Sequence, residues 1–127
     1  DIDNFKQAND LHGHIFGDYC IREFVERLKK FCREDDIIGR IGGDEFVVFG
    51  TISDEEGARC KAARLCQKLD TICEDSGSCW KMSVSVGIAL APQQGRSFAK
   101  LYEKADKALY QTKDKGKNGY TVYEEKE

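Results

Sequence analysis

Apolar and polar positions along this chain follow two rhythms. In three stretches the apolar residues return every three or four positions, the spacing of one helix face. The first stretch gathers Ile21, Phe24, Val25, Leu28, Phe31 and Cys32, and Asp18 falls at its start. The second gathers Ala58, Ala62, Leu65, Cys66, Leu69, Ile72 and Cys73, behind a capping box of Ser53 and Glu56. The third gathers Phe98, Leu101, Tyr102, Ala105 and Leu109. Between the helices lie strand signals. Residues 37–41 and 46–49 flank Gly42-Gly43-Asp44-Glu45, which predicts a β-hairpin with glycines supplying the turn. Met82, Val84, Val86, Ile88 and Leu90 alternate with small residues, as a strand with one buried face does, and Pro92 follows. Residues 120–123 predict a short edge strand. The order, the end of a strand and then α–β–β–α–β–α–β, predicts an α+β sandwich, one sheet with helices packed on it.

Composition narrows the function. The chain has 127 residues, one domain's worth, and no repeat, linker or low-complexity tract divides it. Its net charge of −3 lacks the basic footprint of a general nucleic-acid binder, but a few local cations suffice for a small phosphorylated ligand. The apolar runs fall far short of the ~20 residues of a membrane helix, so no direct membrane contact is expected. No signal peptide is visible. The six cysteines include no C-x-x-C pair and read as small hydrophobes kept reduced, with Cys66 and Cys73 sharing the inner face of the second helix. That points to the cytoplasm. The opening Asp1-Ile2-Asp3 is not an ordinary start, so an upstream segment is expected.

Three acidic features carry candidate chemistry: Asp1-Ile2-Asp3, Asp18, and Asp44-Glu45 at the hairpin tip. Mg²⁺ takes hard oxygen ligands, commonly one or two carboxylates plus substrate phosphates. A strand-end aspartate beside an acidic turn can build such a site. Each feature alone is more often a solvated turn or a helix cap.

Their combination is specific. The chain reads D-I-D-N-F-K-x-x-N-D-x-x-G-H-x-x-G-D from Asp1 to Asp18, R-x-x-D from Arg33 to Asp36, and R-I-G-G-D-E-F from Arg40 to Phe46. It ends with A-D-K-A-L-Y-Q-T-K from Ala105 to Lys113 and K-G-K-N-G from Lys115 to Gly119. This resembles the GGDEF family of diguanylate cyclases along essentially the whole chain, without the family's first helix and most of its first strand. The resemblance implies a fold like that of nucleotide cyclases and the polymerase palm, a central, mainly antiparallel sheet with flanking helices and the signature at a β-hairpin. It implies one GGDEF domain over residues 1–127, which joins two GTP into cyclic di-GMP with Mg²⁺ or Mn²⁺.

The resemblance also implies roles. Asp1, the Ile2 carbonyl, Asp44 and Glu45 stand where the family holds metal, with Asp44 placed to help deprotonate the attacking 3′-hydroxyl. Lys6 stands where charge is stabilised in the transition state. Lys113 and Lys117 match the pair on the terminal phosphates. The family commonly has Arg at the second position, and Lys keeps the charge without the fork. Asn9 and Asp18 match the residues that read guanine, whose N1–H and N2–H₂ donors adenine lacks. Phe5 and Ile21 form an apolar wall or simply pack the core. His14 reads as loop scaffolding, with the neighbouring glycines keeping the backbone close to the nucleotide at a helix start.

Arg33 and Asp36 stand where the family binds its product for feedback inhibition, through an arginine suited to the guanine O6/N7 edge. Arg64 lines up with a secondary inhibitory arginine. Two GTP molecules attacking each other require two facing domains, so a homodimer is implied, usually imposed by an upstream sensor domain that can be membrane-attached. The alternative is a catalytically silent module that binds GTP or cyclic di-GMP as a receptor.

Overall fold

A computed structural model describes residues 1–125. Four helices, α1 (Phe5–His12), α2 (His14–Phe31), α3 (Glu55–Leu69) and α4 (Phe98–Asp114), accompany six strands. These are β1 (Ile37–Arg40), β2 (Phe46–Phe49), β3 (Thr71–Asp75), β4 (Ser78–Met82), β5 (Ser85–Ile88) and β6 (Gly119–Val122). The class is α+β, as expected. The strands form three two-stranded ladders rather than one continuous sheet: β1–β2 and β3–β4 are antiparallel and β5–β6 is parallel. The described chain divides into two compact units, residues 1–51 with 67–84, and residues 52–66 with 85–125.

The first unit packs on α2. Phe16, Cys20, Ile21, Phe24 and Leu28 are its buried face, at the spacing that lines one side of a helix. Phe24 meets Phe46 of β2 with ring centroids 4.8 Å apart. The first helical signal was real but begins too late. Asp18 lies inside α2, whose first residue is His14, and a further helix, α1, precedes it. Only Ala8 of α1 is buried, so this short polar helix carries little apolar rhythm to read. Gly13, at φ 88°, joins the two helices in a conformation that side chains rarely adopt. It caps the start of α2 and forms the joint between the two helices.

Three further expectations give way. Ile72 and Cys73 are not helical, because α3 ends at Leu69 and both lie on β3, with Cys73 opposite Trp80. The signal passed over was Ser76-Gly77, both at positive φ, a two-residue loop that closes a tight hairpin. The cap of α3 is Asp54, whose Oδ1 accepts the Gly57 N–H at 2.8 Å, rather than Ser53. The alternating run from Met82 to Leu90 is also not one strand. At Ser83 and Val84 the chain pairs with Asp3 and Ile2, so β4 stops at Met82 and β5 starts at Ser85.

In the second unit, β5, α4 and β6 form a β–α–β crossover, the connection a parallel pair requires. The final strand is thus the parallel partner of β5. A side chain at Gly87 would overlap the Ala105 carbonyl oxygen and the Leu109 backbone, so glycine lets α4 lie directly on β5. Buried Thr112 lies 3.0 Å from the Val86 carbonyl and 2.7 Å from Thr121 Oγ1, which ties the helix to both strands.

Candidate active site

The acidic corner is assembled by backbone. Ile2, 2% exposed, bridges Val84, and the Asp3 N–H donates to the Ser83 carbonyl at 2.9 Å. On its other side the Ile2 N–H donates to the carbonyl of Asp44 at 3.2 Å. The opening segment therefore lies between Ser83–Val84 and the hairpin tip, which puts Asp1 and the Asp44-Glu45 turn at one place. Both acidic residues of the turn are half-buried, as is Asp1, whose Oδ1 is shielded from solvent. Among the described residues no group of three or more His, Cys, Asp or Glu side chains gathers as a metal cluster. The local oxygen set is two carboxylate-bearing segments and the backbone between them.

Asp3, without a role in the sequence reading, anchors this corner. It is 5% exposed, and the Ser83 hydroxyl donates to its Oδ2 at 2.7 Å. A buried carboxylate needs such a donor. No local signal reveals the pair, because the two residues are 80 positions apart.

The second corner is built by side chains. Asn9 of α1 and Gly17 of α2 touch so closely that a Cβ on Gly17 would overlap Asn9 Oδ1 and come within 3.4 Å of the Phe5 ring. Gly17 is thus a notch that seats the Asn9 amide immediately before Asp18, which is exposed. The readable trace of this contact was the Gly13/Gly17 pair, one helical turn apart. Phe5 is half-buried and meets Trp80 edge-on at 6.4 Å. Ile21 is buried one turn beyond Gly17. Lys6 projects exposed from α1, and His14 is exposed as the first residue of α2. Cys20, buried behind Asp18, has its thiol pushed up to about 12 by burial first and then by Cys73.

Arg33 and Asp36 close a turn between α2 and β1. The Arg33 N–H donates to Asp36 Oδ2 at 2.9 Å, and the Asp36 N–H returns to the Arg33 carbonyl at 3.0 Å. Arg33 itself is exposed. The remaining candidates belong to the second unit. Lys113 sits in the last turn of α4, and Lys117 in a run of three positive-φ residues, Gly116 to Asn118, that leads into β6. Arg64 is exposed on α3.

The family profile described as the GGDEF domain of diguanylate cyclases matches residues 1–119. The chain belongs to the GGDEF family. It is 38% identical over 124 residues to MucR of Pseudomonas aeruginosa, a bifunctional diguanylate cyclase/cyclic di-GMP phosphodiesterase, covering 98% of this chain and 18% of that protein. The chain thus spans less than a fifth of this relative's length. Among solved structures, the GGDEF domain of YfiN (TpbB) from Pseudomonas aeruginosa superposes with a TM-score of 0.92 at 31% identity, covering 99% of this chain and 80% of that one. The GGDEF domain of DgcB from Caulobacter crescentus, solved in complex with c-di-GMP, gives a TM-score of 0.86 at 27% identity, over 96% and 73% of the two chains. The GGDEF chain described here therefore shares the cyclase, palm-like fold of these domains.

Proposed function

We propose that this GGDEF domain is a diguanylate cyclase, condensing two GTP into cyclic di-GMP and two pyrophosphates across a homodimer. The observation that carries the reading is the hydrogen bond from Ile2 N–H to the Asp44 carbonyl, because it brings the opening aspartate to the acidic turn. The donor set there is hard oxygen throughout: Asp1, the Ile2 carbonyl, Asp44 and Glu45. That chemistry suits Mg²⁺ or Mn²⁺, with substrate phosphates completing the shell of a site too small to close by itself. When bound, the metal supplies charge neutralisation on the triphosphate and acidifies the attacking hydroxyl.

The chain's own groups do the rest. An Asp44 carboxylate oxygen accepts the proton of the 3′-hydroxyl as the 3′-oxygen attacks the α-phosphate of the facing GTP and pyrophosphate departs. Lys6 offsets the growing negative charge, and Lys113 and Lys117 hold the terminal phosphates. Asn9, seated on Gly17, and Asp18 receive the guanine N1–H and N2–H₂ edge. Ile21 belongs to the core, with Phe5 half-buried at the margin of this corner. His14 has a scaffolding role. Each domain presents half of the reacting pair, so an attached sensor domain that brings two copies together governs the rate. Arg33 and Asp36, with Arg64 as a secondary contact, bind the product for feedback, in a protein that works on the cytoplasmic side.

The experiment is incubation of the purified chain with GTP and Mg²⁺, as isolated and as a dimer forced by a fused coiled coil, scoring pyrophosphate and cyclic dinucleotide. Turnover rising in the forced dimer is expected. A second reading has one observation in its favour, the exposed guanidinium of Arg33 on its closed turn, which is available to a ligand whether or not the acidic corner works. Cyclic di-GMP binding without any turnover in the forced dimer would make this a receptor module.

A further inference from the structure

Arg40, the last residue of β1, pairs with Phe46 in the hairpin register and stands just before the acidic turn. Its Nε–H donates to the Gly42 carbonyl at 3.0 Å, and its Nη2–H donates to the Gly43 carbonyl at 2.7 Å. The guanidinium lies 5.7 Å from the centre of the Phe46 ring, which backs it from the next strand. One planar fork thus grips two successive carbonyls, a geometry that a rigid guanidinium can hold and an ammonium cannot. The third carbonyl in line, that of Asp44, is the one that accepts Ile2 N–H. Three consecutive peptide planes of the signature are therefore fixed, two by Arg40 and one by the opening segment.

Orientation follows from this. In a trans peptide the carbonyl and the next N–H point in opposite directions. With the Gly42 and Gly43 carbonyls turned onto Arg40, the N–H groups of Gly43 and Asp44 are turned away from it. The turn closes instead through Ile41 N–H and Gly42 N–H on the Glu45 carbonyl, at 2.9 and 3.3 Å. A Cβ on Gly43 would meet nothing within 4 Å, so that side of the turn is open.

The geometry points to Arg40 as the positioning residue of the acidic turn: its fork sets the peptide planes before Asp44, which presents that carboxylate to Asp1 and turns the Gly43 and Asp44 amides outward. The inference rests on the cyclase reading for its consequence in turnover, but not for its structural half.

The test compares the 127-residue chain with Arg40→Lys and Arg40→Gln. By ¹⁵N relaxation, the order parameters of the Gly42 to Glu45 amides are expected to drop from the rigid level near about 0.85 to below about 0.6 in both variants, with the rest of the chain unchanged. In the forced dimer, kcat is expected to fall about tenfold or more in both, with KM for GTP held within about twofold, because alignment rather than binding is lost. Lysine preserves charge and much of the packing, so wild-type order parameters or wild-type kcat in Arg40→Lys would overturn the role of the fork. If the unmodified forced dimer turns over no GTP, the cyclase reading fails by itself, and the order parameters still decide whether Arg40 holds the turn.

Discussion

The acidic corner and the α1–α2 corner lie in the same unit and are held by different means. At the acidic corner the placed groups are main chain: Ile2 N–H on the Asp44 carbonyl, Asp3 N–H on the Ser83 carbonyl, and the Ile2–Val84 bridge, with Arg40 gripping the turn's carbonyls and Ser83 the Asp3 carboxylate. The side chains of Asp1 and Asp44 are not needed for that placement. At the α1–α2 corner the placement is done by side-chain fit, with the Asn9 amide lodged where Gly17 has no Cβ. The first arrangement separates chemistry from architecture, so its carboxylates can be changed while the frame stays. The second joins them, and a single methyl group moves the candidate base-reading amide.

The largest effect that would break this contrast is expected at Asp44. Asp44→Asn should reduce turnover in the forced dimer by more than about a hundredfold, the scale expected when a group holding metal is lost. Its thermal midpoint should stay within a degree or two of the parent's, roughly what a half-buried surface substitution costs. A large loss of stability would show that the side chain, not the backbone, holds the turn.

Next is Gly17→Ala. The added methyl must displace Asn9 Oδ1, so KM for GTP is expected to rise about tenfold and stability to fall by about 1–3 kcal/mol, as overpacking does. Steady-state kinetics with a denaturant titration reads both. Asn9→Ala should raise KM comparably at little structural cost and narrow the preference for GTP over ATP, because an acceptor of the guanine edge is gone. If Gly17→Ala lowers stability alone, the notch is architecture without a role in base reading.

Ser83→Ala removes the donor to the buried Asp3 carboxylate and is expected to destabilise by about 1–3 kcal/mol in urea unfolding. The smallest effect concerns Cys20. Its thiol, raised by burial from an ordinary value of 9.0 to about 12, binds its proton more tightly folded than unfolded. Its contribution is therefore complete below about pH 9, where the unfolded thiol is still protonated, and is lost as pH climbs toward about 12. Stability of the parent should decline across that window more steeply than stability of Cys20→Ala.

Much of the fold could be read from periodicity where apolar faces are long. The buried face of α2 and the β1–β2 hairpin stand where the pattern puts them; for α4 the pattern finds the helix but not its face, since Ala108 and Thr112 are buried while Phe98 is exposed. Misreadings fall where local rhythm is ambiguous. Ile72 and Cys73 continue the spacing of α3, yet Ser76-Gly77 folds them back as β3, because a tight turn with a partner strand outweighs two more residues of helix. The run from Met82 to Leu90 alternates without a break, but Ser83 and Val84 are claimed by a segment at the far end of the chain. For the site, every candidate came from residue types at fixed spacings. Asp3, Gly17 and Arg40 escaped that reading because their importance lies in what they touch.

The order of residues alone determined the family, the acidic signature and the oxygen chemistry open to it, since these depend on residue type and spacing along the chain. Tertiary structure decided which atoms hold that signature in place: the Ile2 N–H on the Asp44 carbonyl, the Ser83 hydroxyl on the Asp3 carboxylate, and the Arg40 guanidinium on two glycine carbonyls. The first two join residues far apart in sequence, which meet only once the chain has folded, and the short-range grip of Arg40 exists only in the geometry of the folded hairpin turn.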